Sequence, residues 1–283
     1  MAFELIQAGT ALQLMDVTGV AATLTLPTNI VLTASRTPRF AVFGRYVIMV
    51  NSPNRPLTID ANGVVRVLCP RPPTTQMTLS AQSGGTLTGN YTAKQTFRIK
   101  DTLGNLISES DMGPVSTTQA VAAQYLRAAI MDLSPDDVSS SMLYRTTSGG
   151  SVYFPWIEVD GNTQTSVQDD LADAGLSSVA AASLGTPPDL TLIAEWRGRL
   201  WGVDRSLLDD LRYTESGRMY AWPILNSIPI PKIGSDSRGV TALMSRKDAL
   251  GVGRQNIIQQ IAGNNDNSVF KPVKITENCG VES

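Results

Sequence analysis

Three stretches of this chain repeat one local plan, and that recurrence constrains the fold more than any other feature. Phe40-Ala-Val-Phe-Gly-Arg-Tyr-Val-Ile-Met-Val50, Leu192-Ile-Ala-Glu-Trp-Arg-Gly-Arg-Leu-Trp-Gly-Val203 and Val240-Thr-Ala-Leu-Met-Ser-Arg-Lys-Asp-Ala-Leu-Gly-Val252 each join two apolar runs through a tight turn carrying Gly or charge. A polar loop follows each copy, at 51–56, 204–210 and 253–256. A third extended segment comes next, Leu57–Asp60, Leu211–Thr214 or Ile257–Ile261. Short apolar runs separated by turn residues pair as antiparallel neighbours, so each copy reads as a meander of three strands.

The spacing between copies gives the domain plan. Leu200 and Leu250 are 50 residues apart, the length range of a four-stranded propeller blade, whereas Tyr46 and Leu200 are 154 apart. About 100 residues beyond one blade are therefore inserted between the first copy and the second. Proline-rich joints bound the insertion, Cys69-Pro-Arg-Pro-Pro73 and Gly185-Thr-Pro-Pro188, whose restricted φ favours extended exits from a compact unit. The predicted fold class is all-β. Residues 1–71 form a first propeller-type blade, 72–188 an inserted immunoglobulin- or fibronectin-like sandwich, and 189–283 further, incomplete blades.

Within the insertion, β-patterned runs occur at Met77–Ala81, Tyr91–Ile99, Ser141–Thr146 and Val152–Val159, with Gly-rich turns expected at Ser83-Gly-Gly85 and Ser148-Gly-Gly150. Tyr91, Ala93, Gln95, Phe97 and Ile99 alternate with Thr92, Lys94, Thr96 and Arg98, the pattern of a half-buried sandwich strand. Ala120–Ala129 has helical propensity, but its place between strands predicts mainly extended backbone. Leu171–Ala182, Ala-rich and preceded by Asp169-Asp170, is predicted to be a helix.

Composition narrows the chemistry. With no histidine, the chain cannot build a serine–histidine–acid triad or a histidine-bearing zinc or iron site. A net charge of −2 and a pI near 5.3 provide no broad basic field for gripping nucleic acid. Cys69 and Cys279 are too few for a disulfide framework and are expected to be unpaired or buried. The opening MAFELIQAGTALQLMD lacks a basic n-region, so export through a cleaved signal is not expected, and the Asn90-Tyr91-Thr92 sequon is not read as glycosylated. No later run is long enough for a membrane anchor.

Candidate sites each have a structural alternative. The pairs Asp136-Asp137, Asp169-Asp170 and Asp209-Asp210 suggest acid/base work or a divalent cation, but adjacent residues on a strand face opposite ways, and solvated turns or caps are the expectation. Ser235-Asp-Ser-Arg-Gly-Val-Thr241 faintly resembles the Asp-box of sialidase-like propellers, with serine where that motif carries aspartate, and is read as a β-turn. Trp196, Trp201 and Trp222 are expected in a core rather than in a sugar-stacking platform. Arg197, Arg199, Arg205, Arg212 and Arg218 either line a channel or pair with Asp204, Asp209, Asp210 and Glu215, a salt-bridged surface being the expectation. No catalytic, cofactor-binding or metal residue is assigned, and an enzyme is not expected.

Several runs taken in order resemble one family: Gly84-Gly-Thr-Leu-Thr-Gly-Asn-Tyr91, Leu143-Tyr-Arg-Thr-Thr-Ser-Gly-Gly150, Trp196-Arg-Gly-Arg-Leu-Trp-Gly202, Tyr213-Thr-Glu-Ser216 with Trp222-Pro223, and Ile258-Gln-Gln-Ile-Ala-Gly263. Over roughly residues 36–278 the chain resembles β-propeller tail proteins of bacteriophages, including the nozzle proteins of short-tailed phages, some of which carry an inserted immunoglobulin-like domain. The resemblance implies a structural virion protein of the tail, assembled in the host bacterial cytoplasm as a homo-oligomeric ring, a hexamer first of all. It implies adjacent tail proteins such as an adaptor and fibres as partners, transient passage of double-stranded DNA, and no cofactor. A weakly charged wall suits such a channel, because each neutralised phosphate adds affinity and slows sliding. The chain departs from the family in offering about three blades where about four are the usual minimum. It is therefore expected either to be part of a longer protein or to be completed by neighbouring subunits. The alternative is a glycan-binding or glycan-cleaving propeller, on a virion or secreted from a bacterium; a cell-surface adhesion module is a third possibility.

Overall fold

A computed structural model of the chain describes residues 3–16, 18–130, 134–161, 165–232, 238–255, 257–263 and 270–277. The fold is all-β, built of small antiparallel sheets of which none closes into a barrel. It divides into two compact units, one made of Met1–Leu68 with Pro187–Ser283 and the other of Cys69–Thr186.

The first unit opens with a sheet separate from the blade expected over 1–71: β1 (Phe3–Ala8), β2 (Ala11–Asp16) and β3 (Ala21–Leu24), paired in that order. The first blade follows as β4 (Arg39–Phe43), β5 (Tyr46–Val50), β6 (Leu57–Ile59) and β7 (Val65–Val67). Its last turn is folded by Asp60, whose Oδ1 accepts the Asn62 and Val64 amides at 2.9 and 3.0 Å. Gln7 and Asn51 are hydrogen-bonded across the two sheets, and a Cβ on Gly63 would lie 3.1 Å from a methyl of Leu24, so β1–β3 packs against this blade.

The second unit is a sandwich. Its strands are β8 (Thr78–Tyr91), β9 (Ala93–Lys100), β10 (Leu106–Glu109), β11 (Gln119–Ala129), β12 (Ser140–Thr146), β13 (Tyr153–Asp160) and β14 (Ser166–Asp169). They form one sheet in the order β14-β11-β8 and another in the order β10-β9-β12-β13. Leu79, Tyr91, Leu126 and Val167 from the first sheet meet Ala93, Leu143 and Trp156 from the second in one core. The expected strand across Tyr91–Ile99 breaks at Thr92, where the chain leaves one sheet for the other. In β9 the alternation holds for Ala93, Gln95, Phe97 and Ile99, but Thr96 on the opposite face is buried too, its hydroxyl donating to Glu109 at 2.6 Å.

Two local expectations in this unit are corrected. Ser83-Gly-Gly85 is no turn: it lies inside β8 at an irregularity opposite Ala122–Gln124, where Gly84 (φ 96°) and Ala123 (φ 52°) take left-handed backbone. The helix expected at 171–182 is reduced to a 3₁₀ turn, Asp173–Gly175. Tertiary partners claim that segment: Asp173 pairs with Arg145 and accepts the Ser148 amide, Arg145 also donates to the Leu171 carbonyl, and the Ala181 amide donates to the Tyr153 carbonyl. Ala120–Ala129 is extended, as expected, because Val121, Leu126 and Ala128 all point into the core.

The irregularity yields a prediction. A Cβ on Gly85 would stand 2.2 Å from the Tyr125 amide nitrogen and 2.4 Å from the Gln124 carbonyl carbon, both backbone atoms that cannot swing aside. Gly85→Ala is expected to destabilise the sandwich by about 1–3 kcal/mol. A chemical denaturation midpoint equal to the parent's would refute the close approach.

After the insertion, β15 (Leu190–Trp196), β16 (Arg199–Asp204), β17 (Leu207–Tyr213) and β18 (Ser227–Pro229) form a second blade. A third is formed by β19 (Ala242–Ser245), β20 (Leu250–Gly253), β21 (Ile257–Ala262) and β22 (Lys271–Glu277). Every copy thus carries a fourth strand beyond the three expected. The β15–β16 hairpin turns on Arg197 and Gly198, both at positive φ (55° and 66°), which matches the twist of its strands. The loop expected at 204–210 shrinks to the turn Arg205-Ser206, because the Asp204 carboxylate captures the Ser206 amide and hydroxyl, each at 2.8 Å. Asp209-Asp210 therefore lies on a strand, not in a turn.

The opening strands of the three blades are neighbours, β15 lying beside both β4 and β19. The blades consequently stack as successive layers. Leu200, Trp201 and Val203 on β16 are all fully buried, so both faces of the second blade are covered. Trp201 stacks on Tyr213 (4.6 Å between ring centroids) and meets Phe270 edge-on (4.9 Å) in a core shared with Leu250, Val252 and Ile261 of the third blade.

Candidate anion-binding cleft

At one end of the stacked blades an open cleft of about 790 Å³ gathers residues from all three. Arg36 comes from the approach to β4 and Arg39 from its first position, Ser52 from the loop after β5, Arg205 from the β16–β17 turn and Arg238 from the approach to β19. Among the described residues that line it there is no Asp or Glu. The unit that holds it carries 17 basic and 14 acidic residues, whereas the sandwich has 6 and 11.

Each arginine is delivered by a specific local device. Asn51, almost wholly buried, donates to the carbonyls of Thr33 (3.3 Å) and Arg36 (3.2 Å), pinning the segment that leads into β4. The Arg205 amide donates to the Asp189 carbonyl at 2.8 Å. Arg254, fully buried, holds the third contribution: it pairs with Asp209 at 2.6 Å and donates to the carbonyls of Ile230 and Arg238 at 3.1 and 2.9 Å. Next in sequence, a Cβ on Gly239 would fall 2.3 Å from that of Leu208, so only glycine lets these two segments approach. Burial pulls the Asp209 carboxyl upward, but hydrogen bonds and charge from Lys232 and Arg254 outweigh it and hold it below the ordinary aspartate value.

The four guanidinium groups line exposed walls, and beside them the buried Ser52 hydroxyl has no hydrogen-bond partner among the described residues. Convergent guanidinium groups can take an oxyanion through paired N–H donors. Arg39→Glu/Arg205→Glu is expected to weaken binding of tripolyphosphate about tenfold or more at low salt, with the melting temperature unchanged. Titration calorimetry at two salt concentrations checks this, and equal affinity in parent and variant would remove the cleft from consideration.

The basic cluster seen in the sequence is dispersed. Only Arg205 of that group enters the cleft. Arg199 is buried, donates to the Thr214 carbonyl and faces the Tyr213 and Phe270 rings; Arg197 sits over the Trp196 ring; Arg212 donates to the Pro223 carbonyl; Arg218 is exposed. Asp209 pairs with Lys232 and Arg254, neither of which belongs to the group. Arg36, Arg39 and Arg238 were missed, because their convergence has no local signal in the sequence.

The remaining candidates take structural places. Trp196, Trp201 and Trp222 are buried, the indole N–H of Trp222 donating to the Met219 carbonyl. Asp136 is not solvated as expected: it is buried and accepts the Arg71 amide at 2.8 Å. Asp169 accepts the Trp156 indole N–H, and Asp170 accepts the Thr86 and Leu87 amides, which hold it below the ordinary aspartate value. A second ionic group lies in the sandwich, where Arg98 pairs with Glu109 at 3.1 Å; burial and the Glu109 charge push the Tyr144 hydroxyl far upward.

Cys69 is buried, its thiol donating to the Glu109 carbonyl, whereas Cys279 and residues 235–237 of the run read as a β-turn lie outside the described residues. Among the described residues no three Cys, Asp or Glu gather as a metal site would require, and no helix is long and apolar enough to cross a membrane. No protein-family model and no curated protein sequence matches the chain.

Proposed function

We propose that this chain is a structural component of a bacteriophage tail, a nozzle- or tube-type protein whose copies form a ring around the path of the DNA or carry fibres. One observation supports the reading above the rest: four-stranded antiparallel sheets are layered through their first strands, with a β-sandwich spliced between the first blade and the second. That is the order of parts the resemblance implies. The glycan alternative has less support, since the tryptophans a sugar platform would use are in the core, and Asp136, Asp169, Asp170 and Asp209 are engaged by amides, an indole or basic side chains. In this reading the partners are further copies of the chain, a hexamer first of all, and adjoining tail proteins such as an adaptor and fibres. Double-stranded DNA passes transiently, and the protein resides in the virion tail after assembly in the host cytoplasm.

Electron microscopy of the purified protein tests the reading. Closed rings with an axial channel are expected, together with labelling of tails by an antibody raised against the chain. A protein that stays monomeric at high concentration and cleaves a polysaccharide would overturn it.

A further inference from the structure

The layers of the first unit end in two open sheet faces. In the third blade, Leu250, Val252, Ile257 and Ile261 point inward and are buried. The opposite face presents Ala242, Met244, Ile258, Gln260, Val273 and Ile275, with Met244 62% exposed and Ile275 50% exposed. Gly251 leaves a groove of about 150 Å³ between Met244 and Ile258. At the other end of the layers, Leu12, Leu14 and Leu24 of β1–β3 face the first blade, while Ile6, Ala11, Gln13, Met15, Ala21 and Thr23 face away and none of them is buried. The charges at the two ends differ in sign. Glu4 stands exposed on the β1–β3 end, whereas Arg246 lines the groove and Lys271 is exposed on the same face of the third blade.

An isolated sheet with apolar side chains on both faces exposes one of them to water, and every internal layer of this unit has solved that problem by stacking on a neighbour. We propose that the unit repeats the same solution between molecules: the open face of β19–β22 in one copy packs on the open face of β1–β3 in a second copy. The two faces are different surfaces, so the contact is head-to-tail, and such contacts grow into a ring when the rotation closes and into an open array when it does not. The inference deepens the self-assembly proposed above by naming the surfaces that join.

Two exposed-residue variants test the pairing in the full chain. Met244→Glu/Ile275→Glu places carboxylates on the third blade, and Ala21→Lys/Thr23→Lys places cations on β3, where they also meet Lys271 and Arg246 across the contact. Light scattering after size exclusion is expected to show concentration-dependent association of the parent, weakened at least tenfold in either variant, with thermal melts unchanged. Mixed together, the two variants retain one good face each and are expected to form a one-to-one dimer that grows no further. Failure of the mixture to associate, or association of either variant like the parent, overturns the pairing. Should the variants still form rings in the microscope, the pairing falls while the tail reading stands. A parent that is monomeric in both measurements overturns the two together.

Discussion

Trp201→Ala is expected to lower the stability of the blade-bearing unit by about 3–5 kcal/mol. The indole is fully buried on β16, stacked on Tyr213, in contact with Trp196 and Phe270, and its N–H donates to the Trp196 carbonyl at 3.1 Å. Truncation removes a large apolar area, leaves a cavity between the second blade and the third, and strands a buried carbonyl. Strands above and below are pinned by the same cluster, so the void cannot close by local collapse. The sandwich has its own core, to which Trp201 contributes nothing. Hydrogen exchange should therefore show protection falling across β15–β21 while β8, β9, β11 and β12 keep theirs. Equal loss in both units, or a change below about 1 kcal/mol, would show that the aromatic cluster does not carry this packing.

The second large effect is expected in the sandwich. Arg145 is fully buried, pairs with Asp173 at 2.6 Å, donates to the carbonyls of Thr146 and Leu171, and lies over the Tyr91 ring. Arg145→Met keeps much of the volume but leaves the two carbonyls without this donor and Asp173 with the Ser148 amide in place of an ion pair. Asp173 retains about a third of its surface in water, so the cost falls near the lower end of the range for a broken buried pair, about 3 kcal/mol. The double variant Arg145→Met/Asp173→Asn should recover part of that loss, because the stranded charge is removed. Denaturant titration of the single and double variants measures it; an Arg145→Met protein as stable as the parent would show that the pair is dispensable.

Strand positions were legible to different degrees, and the reasons are physical. The second and third strands of each blade stood out because β-branched and aromatic runs bounded by turn residues report on themselves. The fourth strands did not: Val65–Val67 and Ser227–Pro229 are only three residues long and pair at a sheet edge. The 171–182 stretch misled because its propensity is helical while its Leu171 carbonyl and Asp173 carboxylate are held by Arg145 and the Ser148 amide from elsewhere in the sandwich. Ser83-Gly-Gly85 misled differently, since its glycines serve a close backbone approach inside a strand instead of a reversal.

The candidate cleft was the least legible part. Arg205 was noticed only as one of five neighbours in sequence, of which the other four turn to rings, carbonyls or solvent. Arg36 and Arg238 lie two hundred residues apart, and nothing near either marks a partner.

By itself, the sequence determined the all-β class, the recurrence of meander units and the placement of the tryptophans in a core, because alternation, turn chemistry and apolar area act over a few residues at a time. Only the tertiary structure decided that arginines from three blades share one cleft, that Asp209 belongs to Arg254, and that one face of the last sheet is left open. Those outcomes depend on how whole sheets stack, and stacking brings together residues whose separation along the chain carries no information about their distance in space.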